Sequence, residues 1–497
     1  MRPMLRFGRL PYSTYVRTAF LPTIYALSTS IGQRSAIAVV RVSGSHSKYI
    51  YHSLTESQAE PIARRASLRN LYEPGLQTKN LLDSSISLYF DAPKSFTGED
   101  MLELHVHGGQ AVVRSVLNAI GSLNDRKRGR EIRYAQPGEF SQRAFQNGRA
   151  DLTQIEGIGE LIDAETETQR RSALSSFKGL NRALFAEWRA RIVNNIAQLT
   201  AIIDFGEDTD ITDVDQIFNN VTAEVKAVEQ EVTDFIHKID KSSILQRGIK
   251  LVLLGQPNAG KSSLLNSITK AETAIVSNIP GTTRDAIDVP LDINGYKVVL
   301  CDTAGLRSNS DDQIEKEGIK RAQLKSSQSD IVLVLIDPTN DPLITIDVEK
   351  YIKEELSDKD VIIVVNKADL MDDTSTNLVR KMLKNKFQGS YSIEVVSCLN
   401  EQGIDNLLRK LTDRFKKLAT SEEGSDPVVV SKRVQEILEN DVLFGIKEFL
   451  TFRQYDDVVM ASESLNYAAE GIGKITGETV GVEEVLGVVF SRFCVGK

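Results

Sequence analysis

The chain has 497 residues, with 60 lysines and arginines against 68 acids for a formal charge of −8, and 41% of its residues are hydrophobic. That length and apolar share suit about three folded domains and exclude the disordered, collagen-like and repeat-fibre classes. No run approaches the roughly 18–20 uninterrupted apolar residues of a spanning helix, and Cys301, Cys398 and Cys494 are too few and too scattered for a disulfide framework or a zinc site. A reducing compartment fits, and the acidic balance speaks against coating nucleic acid through the overall field while leaving room for a local basic groove.

Before Glu56 the chain carries no acid at all, whereas Arg2, Arg6, Arg9, Arg17, Arg34, Arg41 and Lys48 are basic. An arginine-rich, hydroxyl-bearing, acid-free segment, with Leu5, Phe7, Leu10, Tyr12 and Val16 available for an apolar face, predicts a mitochondrial import leader over residues 1–20 that is removed on import. Pro3 and Pro11 weaken its helix, and a solvated basic tail is the competing reading. The scatter of the bases, with no compact apolar core between them, disfavours a secretory signal.

Past the leader, Ser35–Ser43 reads as a strand, Ser84–Phe90 as a second, and Met101–His107 as a third with period-two alternation; a helix follows over Gln110–Leu123. From Asp151 to Leu174 the spacing of Leu152, Ile155, Ile158 and Ile162 is helical, and helical patterning continues to about Lys241. Near Gly248 the style changes to buried-type strands, KLVLLG, VVLC, IVLVLI and VIIVV, alternating with helices, which predicts a parallel βαβ sheet. From about Lys432 a helical face returns through Val434, Ile437, Leu438, Val442, Ile446 and Phe449. One helical region is therefore expected to be split by an inserted α/β domain.

The α/β part carries the chemistry. Gly255-Gln-Pro-Asn258-Ala259-Gly260-Lys261-Ser262 fits G-x-x-x-x-G-K-[ST] between a strand and a helix opening at Ser262-Ser263. There, backbone N–H groups can wrap phosphates, Lys261 can reach the β and γ oxygens, and the Ser262 hydroxyl can bind Mg²⁺. Asp302-Thr303-Ala304-Gly305 follows the strand KVVLC, where an aspartate can hold the metal through water and a glycine N–H can meet the γ-phosphate. Asn366-Lys367-Ala368-Asp369 closes VIIVV, and Ser397-Cys398-Leu399 follows SIEVV. A carboxylate at Asp369 accepts from both the ring N–H and the amino group of guanine, a donor pair adenine lacks, so the nucleotide is GTP. Singly each motif could be a turn at a strand end; four in order, each behind a buried strand, are the signature of the translation-factor-type GTPase fold.

Small signalling GTPases place a water-orienting glutamine directly after D-x-x-G, but here that position is Leu306. Asp311, Asp312, Glu315 and Glu317 follow, and from chemistry alone none stands out. The Asn258 side-chain oxygen can ligate a monovalent cation near the phosphates or simply cap a turn. Gly281-Thr282-Thr283-Arg284-Asp285 is expected to be a switch loop whose threonine completes the Mg²⁺ shell.

NAGKSSLLN, IPGTTRD, DTAGLR and NKAD together closely resemble the MnmE (TrmE) family of tRNA-modifying GTPases, whose mitochondrial members the leader favours. So do SFTGEDMLELHVHGG (Ser95–Gly109), PGEFSQRAFQNGRADLTQIEGIGELIDAET (Pro137–Thr166), IDFGED (Ile203–Asp208), ITGE (Ile475–Glu478) and FCVGK (Phe493–Lys497). The resemblance implies an α/β and α+β multidomain fold with a tetrahydrofolate-binding N-terminal domain (21–148), a discontinuous helical bundle (149–245 and 416–497) and an inserted Ras-like P-loop GTPase domain (246–415). It implies modification of carbon 5 of the wobble uridine of mitochondrial tRNA, jointly with an FAD-dependent MnmG (GidA) partner, with a one-carbon unit from 5-formyl- or methylene-tetrahydrofolate and an amine such as glycine or taurine. It further implies a constitutive homodimer whose G domains pair in a K⁺-dependent way.

Carried over by motif, GTP would contact Asn258 to Ser263, Ser277, Asn278, Ile279, Pro280, Gly281, Thr282, Thr283, Asp302 to Gly305, Asn366 to Asp369 and Ser397 to Leu399. K⁺ would be held by Asn258, Ser277, Ile279 and Thr282, and Mg²⁺ by Ser262 and Thr283, while Glu315 takes the position of the water-orienting glutamate. The folate contacts map onto Arg41, Glu103, Arg149 and Lys497. Arg149 stands where the family usually has lysine, which keeps the charge and changes the donor geometry. Glu103 has an independent rationale, because a pterin presents the same N–H and amino pair as guanine. Period two also puts Glu103, His105 and His107 on one strand face, so a metal site competes there with an ordinary polar face. Cys494, beside Lys497, is a candidate nucleophile or a small buried residue. The alternative function is a mitochondrial ribosome-assembly or regulatory GTPase, which would share the G domain and have no use for the N-terminal and FCVGK motifs; an ATP-dependent P-loop enzyme would have none for Asp369.

Overall fold

The computed structural model describes residues 21–29, 34–76, 78–205, 214–256, 258–271, 273–274, 289–301, 328–420 and 427–478. The leader reading, at residues 1–20, lies outside them. The described residues form two compact units: one runs to Ile155 and includes the last described residues, Gly477 and Glu478, and the other spans Glu156–Thr476.

The first unit is built on β1 (Thr23–Leu27), β2 (Ser35–Ser43), β3 (Ser67–Tyr72), β4 (Leu81–Phe90), β5 (Met101–Gly108) and β6 (Ile132–Tyr134), with α1 (Ser47–Thr55), α2 (Gln110–Ser122) and α3 (Glu139–Gln146). Its described strands lie in the order β3-β4-β5-β2-β1-β6, all antiparallel except the β1–β6 pair. Alternation sorts the side chains: Val40, Val42, Leu102, Leu104 and Val106 turn to the core shared with Ile50, Leu54, Val116 and Ile120 of the helices. Arg41, Glu103, His105 and His107 fall on the opposite face. β1, β3 and β6 add to the strands expected from the sequence.

In the second unit the helices α4 (Leu152–Asp163, from Glu156 on), α5 (Glu167–Phe177), α6 (Leu180–Phe205) and α7 (Val214–Arg247) precede an α/β sheet. The expected helical stretch 151–174 is thus two helices. Thr166 ends the first reading and starts α5 with a reciprocal capping box, its hydroxyl accepting from the Gln169 N–H while the Gln169 side chain returns to the Thr166 N–H.

The sheet contains β7 (Ile249–Gly255), β8 (Thr273–Ala274), β9 (Val289–Ile293), β10 (Tyr296–Cys301), β11 (Ile331–Ile336), β12 (Asp360–Val365) and β13 (Ser392–Val395), in the order β13-β12-β11-β7-β10-β9-β8. From β13 to β10 it is parallel, as the unbroken apolar runs require of strands covered on both faces. The expectation of a parallel sheet is corrected at one edge, where β9 returns antiparallel to β10 through the tight turn Asn294-Gly295 and β8 pairs antiparallel with β9. Successive β11 residues serve two cores: Leu333 and Leu335 pack with Leu407, Leu411 and Phe415, whereas Val332, Val334 and Ile336 pack with Ile352, Val379 and Leu383. α8 (Lys261–Ala271), α9 (Ile346–Glu354), α10 (Asp373–Lys386) and α11 (Ile404–Ala419) supply the covering helices.

After the sheet, α12 (Lys432–Ile437) passes through a π-helical segment, Leu438–Leu443, into α13 (Phe444–Gln454), and α14 (Val458–Thr476) follows. These join α6 and α7 in one core: Trp188, Phe185, Ile192, Phe218 and Phe235 from before the insertion, and Leu438, Ile446, Phe449, Leu465 and Ile472 from after it. Trp188 packs edge-on to Phe235 at 5.5 Å and donates its indole N–H to Glu231 at 2.8 Å, satisfying its only polar atom.

Candidate guanine-nucleotide site and N-terminal site

The strand order and the loops it brings together place the nucleotide motifs at the C-terminal ends of β7, β12 and β13. β7 ends at Gly255 and α8 starts at Lys261, so the intervening loop opens onto a helix N-terminus. Asn258 adopts φ 60° and is exposed, and Gly260 adopts φ 92°. Lys261 donates to the Gly255 carbonyl at 2.7 Å and to the Gln256 carbonyl at 3.0 Å, which holds its ammonium over the loop.

Asn366, 2% exposed, ties three loops: its amide donates to the Ala259 carbonyl at 3.0 Å, its oxygen accepts from the Cys398 N–H at 3.2 Å, and its own N–H bonds the Ile336 carbonyl. Asp369 then sits in the short 3₁₀ turn Ala368–Leu370 and accepts from the Ser397 hydroxyl. Thus Asn366, Lys367, Ala368 and Asp369 meet Ser397 and Cys398 beside the phosphate loop, with Leu399 fully out in solvent. Burial pushes the Cys398 thiol up, only partly offset by Ser267 and Asn366, which disfavours its thiolate. Ser262 and Ser263 begin α8. Ser277, Asn278, Ile279, Pro280, Gly281, Thr282, Thr283, Asp302, Thr303, Ala304, Gly305 and Glu315 lie outside the described residues.

One partner of this site was not visible in the sequence. Asp337, directly after β11, accepts the Lys367 ammonium at 2.5 Å on one oxygen and the Thr339 N–H and hydroxyl at 2.9 and 2.7 Å on the other. Burial works to raise its pKa, but these bonds outweigh it and hold the carboxyl below its ordinary range.

In the first unit, Arg41 and Glu103 face each other across the β2–β5 ladder, and the guanidinium meets one carboxylate oxygen at 2.9 and 3.0 Å. The rings of Phe96 and Phe140 lie 5.4 and 5.9 Å from the Arg41 guanidinium carbon. Arg149 donates to the Ser95 carbonyl at 3.1 Å and so fixes the residue before Phe96. Beneath this corner runs a buried ionic chain that sequence reasoning passed over: Arg143 pairs with Glu99 at 2.9 Å and with Glu139 at 3.0 Å, and Arg133 also holds Glu139 at 2.6 Å. Its signal was the two acids inside SFTGED and PGEF. His107 pairs with Asp83 at 2.7 Å, whereas His105 stands 3.7 Å from Glu103, outside hydrogen-bond reach, and its Nε2 is buried without a hydrogen-bond partner among the described residues. Lys497 and Cys494 lie outside the described residues.

A phosphate loop leading into a helix, an N-K-x-D carboxylate beside it and this strand order define a P-loop GTPase. The family model described as "GTP-binding protein TrmE N-terminus" matches residues 23–149, and "MnmE helical domain" matches 152–494. The chain belongs to the MnmE (TrmE) family. Over 96% of its length it is 53% identical to "tRNA modification GTPase MSS1, mitochondrial" of Saccharomyces cerevisiae, covering 93% of that protein. It is 38% identical to "5-taurinomethyluridine-[tRNA] synthase subunit GTPB3, mitochondrial" of Danio rerio over the same shares, and 37% identical to "tRNA modification GTPase MnmE" of Parvibaculum lavamentivorans, of which it covers 100%.

Proposed function

We propose that this mitochondrial GTPase modifies carbon 5 of the wobble uridine of mitochondrial tRNA, together with an FAD-dependent MnmG-type partner and a tetrahydrofolate one-carbon donor. The observation that carries the reading is the joint presence in one chain of a guanine-nucleotide site and an Arg41–Glu103 couple flanked by aromatic rings. A GTPase that only assembled ribosomes would have no need of the second. The names of the yeast, zebrafish and bacterial relatives, all tRNA-modifying, support it.

The residues suit the groups assigned to them. Glu103 has one oxygen engaged by Arg41, and as a carboxylate it can accept from the N–H and amino group of a pterin while Phe96 offers a ring to stack on. Arg149 and Lys497 are the proposed partners of the folate's acidic tail. In the G domain (246–415), Asp369 selects guanine, Lys261 meets the phosphates, and Ser262 with Thr283 would hold Mg²⁺, which would supply charge neutralisation for the phosphates. Asn258, exposed and left-handed, is the described member of the proposed K⁺ set with Ser277, Ile279 and Thr282, and Glu315 orients the attacking water. We take the protein to act as a homodimer with folate domains at 21–148 and a helical domain formed by 149–245 and 416–497.

Mass spectrometry of mitochondrial tRNA from cells with and without the protein tests the reading: the modified wobble uridine disappears without it, and an unchanged nucleoside profile refutes the assignment. A melting shift with 5-formyl-tetrahydrofolate is expected, and its absence at saturating ligand favours a ribosome-assembly GTPase. Cys494→Ser separates the chemistry from the motor: if Cys494 is the nucleophile, modification is lost while GTP hydrolysis persists.

A further inference from the structure

We propose that Asp337 is a positioning residue for guanine binding, acting through Lys367; the inference rests on the guanine pocket assigned above. Asp337 is 3% exposed at the end of β11, in a different loop from the N-K-x-D turn, and its two oxygens have separate tasks. One is fixed by the Thr339 N–H and hydroxyl, which leaves the other aimed at the Lys367 ammonium, 2.5 Å away.

Lys367 itself is held in the left-handed region, φ 58° and ψ 39°, at the start of the 3₁₀ turn that bears Asp369. Free, a lysine side chain samples many rotamers, and fixing it costs conformational entropy. Tethered at both ends, by the turn and by Asp337, its methylene stem becomes a fixed apolar strip leading away from Asp369, on which a purine ring can lie. The tether also settles a competition between two carboxylates. Lys367 stands two positions before Asp369, and an ammonium on Asp369 would block the oxygens that guanine needs. With Lys367 committed to Asp337, Asp369 keeps, among the described residues, only the Ser397 hydroxyl, a neutral donor that an incoming base can replace.

The same turn reaches the phosphate loop. Asn340 donates to the Gln256 side chain at 2.7 Å, and its N–H bonds the Asp337 carbonyl. Asp337–Asn340 is therefore a brace with one end at the base and the other at the phosphates.

The test uses the full-length protein and fluorescent GDP. Asp337→Asn is expected to raise the GDP Kd about tenfold and the GTP KM alongside it, with the loss in KM and not in kcat, while Asp337→Glu recovers most of the affinity. In a Lys367→Met background, adding Asp337→Asn is expected to change the Kd less than twofold, because the carboxylate has nothing left to position. An equal loss in both backgrounds, or an unchanged Kd for Asp337→Asn, overturns the proposal. Should Asp337→Asn fail to fold, Thr339→Val carries the test: it loosens the carboxylate without removing charge, a two- to threefold weaker GDP complex is expected, and an unchanged one overturns the proposal. A wild-type protein with no preference for GDP over ADP overturns the pocket assignment, and the proposal with it.

Discussion

Arg41 lies directly across the β2–β5 ladder from Glu103, and both nitrogens that reach the carboxylate fall on the same oxygen, at 2.9 and 3.0 Å. The other oxygen is turned toward His105, 3.7 Å away. An ion pair used only for stability gains most from bidentate contact; this one leaves the second oxygen without a hydrogen bond among the described residues.

That arrangement predicts a specific loss. A ligand present at 100 times its Kd stabilises its site by about 2.7 kcal/mol, on the order of 5–10 °C for a domain of this size. Glu103→Gln is expected to abolish the shift that 5-formyl-tetrahydrofolate produces in wild type while leaving GTP hydrolysis unchanged. A full shift in the variant, measured by differential scanning fluorimetry, would remove Glu103 from the folate site.

The pocket around Asp369 predicts an exchange of bases. Two hydrogen bonds to a charged acceptor are worth about 1.5–3 kcal/mol each, so Asp369→Asn is expected to weaken GDP about a hundredfold or more. Xanthosine diphosphate, which offers an acceptor where guanine has its amino group, is expected to gain. Competition of both nucleotides against a fluorescent analogue reads the two constants, and an unchanged preference for GDP would remove Asp369 from base recognition.

Glu160 makes stability depend on pH in the helical region. Burial first, and the charge of Glu156 second, push its pKa from 4.5 up to about 8, and one of its oxygens has no hydrogen-bond partner among the described residues. Glu156 is committed to Arg433, at 2.8 Å. The folded chain keeps a proton on Glu160 that the unfolded chain releases near pH 4.5. Its contribution is therefore complete at low pH and shrinks as pH rises toward 8, by up to about 1.4 kcal/mol per unit. Depressed carboxyls such as Glu139 act in the opposite sense, at lower pH. The fall in Tm between pH 5.5 and 8 is expected to be shallower in Glu160→Gln than in wild type; parallel slopes would assign the buried proton elsewhere.

What could be read from the sequence followed from how each element is stabilised. β11 and β12 are buried on both faces, so IVLVLI and VIIVV announce themselves as unbroken apolar runs. β3 is an edge strand with exposed Leu68 and Asn70, and its pattern SLRNLY has no such run. β9 contains Pro290, which reads against a strand; it lies opposite Val299 of β10, and the two-residue β8 meets β9 only at Leu291 and Asp292, past the proline. The break between α4 and α5 had a local signal in T-E-T-Q, the capping box, masked by apolar residues that keep helical spacing across it. Motifs anchored by one short segment were legible. Asp337, a turn aspartate 30 positions from Lys367, and Arg143, which joins acids 44 and 4 positions away, acquire their partners only through folding.

Gly260 is where phosphate loop and base-recognition turn touch, and it cannot carry a side chain. A Cβ there would stand 2.1 Å from the Asn366 amide nitrogen, which is itself held by the Ala259 carbonyl on one side and the rest of its turn on the other. φ of 92° adds backbone strain for any L-residue with a side chain. Gly260→Ala is therefore expected to push Asn366 off the loop and to cost at least about a hundredfold in GDP affinity, since both halves of the site move. Gly389 separates the two causes, because it has φ 74° in the same domain and nothing within 4 Å of where its Cβ would lie. Gly389→Ala pays the strain alone, on the order of 1 kcal/mol of stability, and is expected to bind GDP like wild type. If both variants lost nucleotide equally, the collision with Asn366 would not be the reason for glycine at 260, and general loosening of the domain would explain the loss instead.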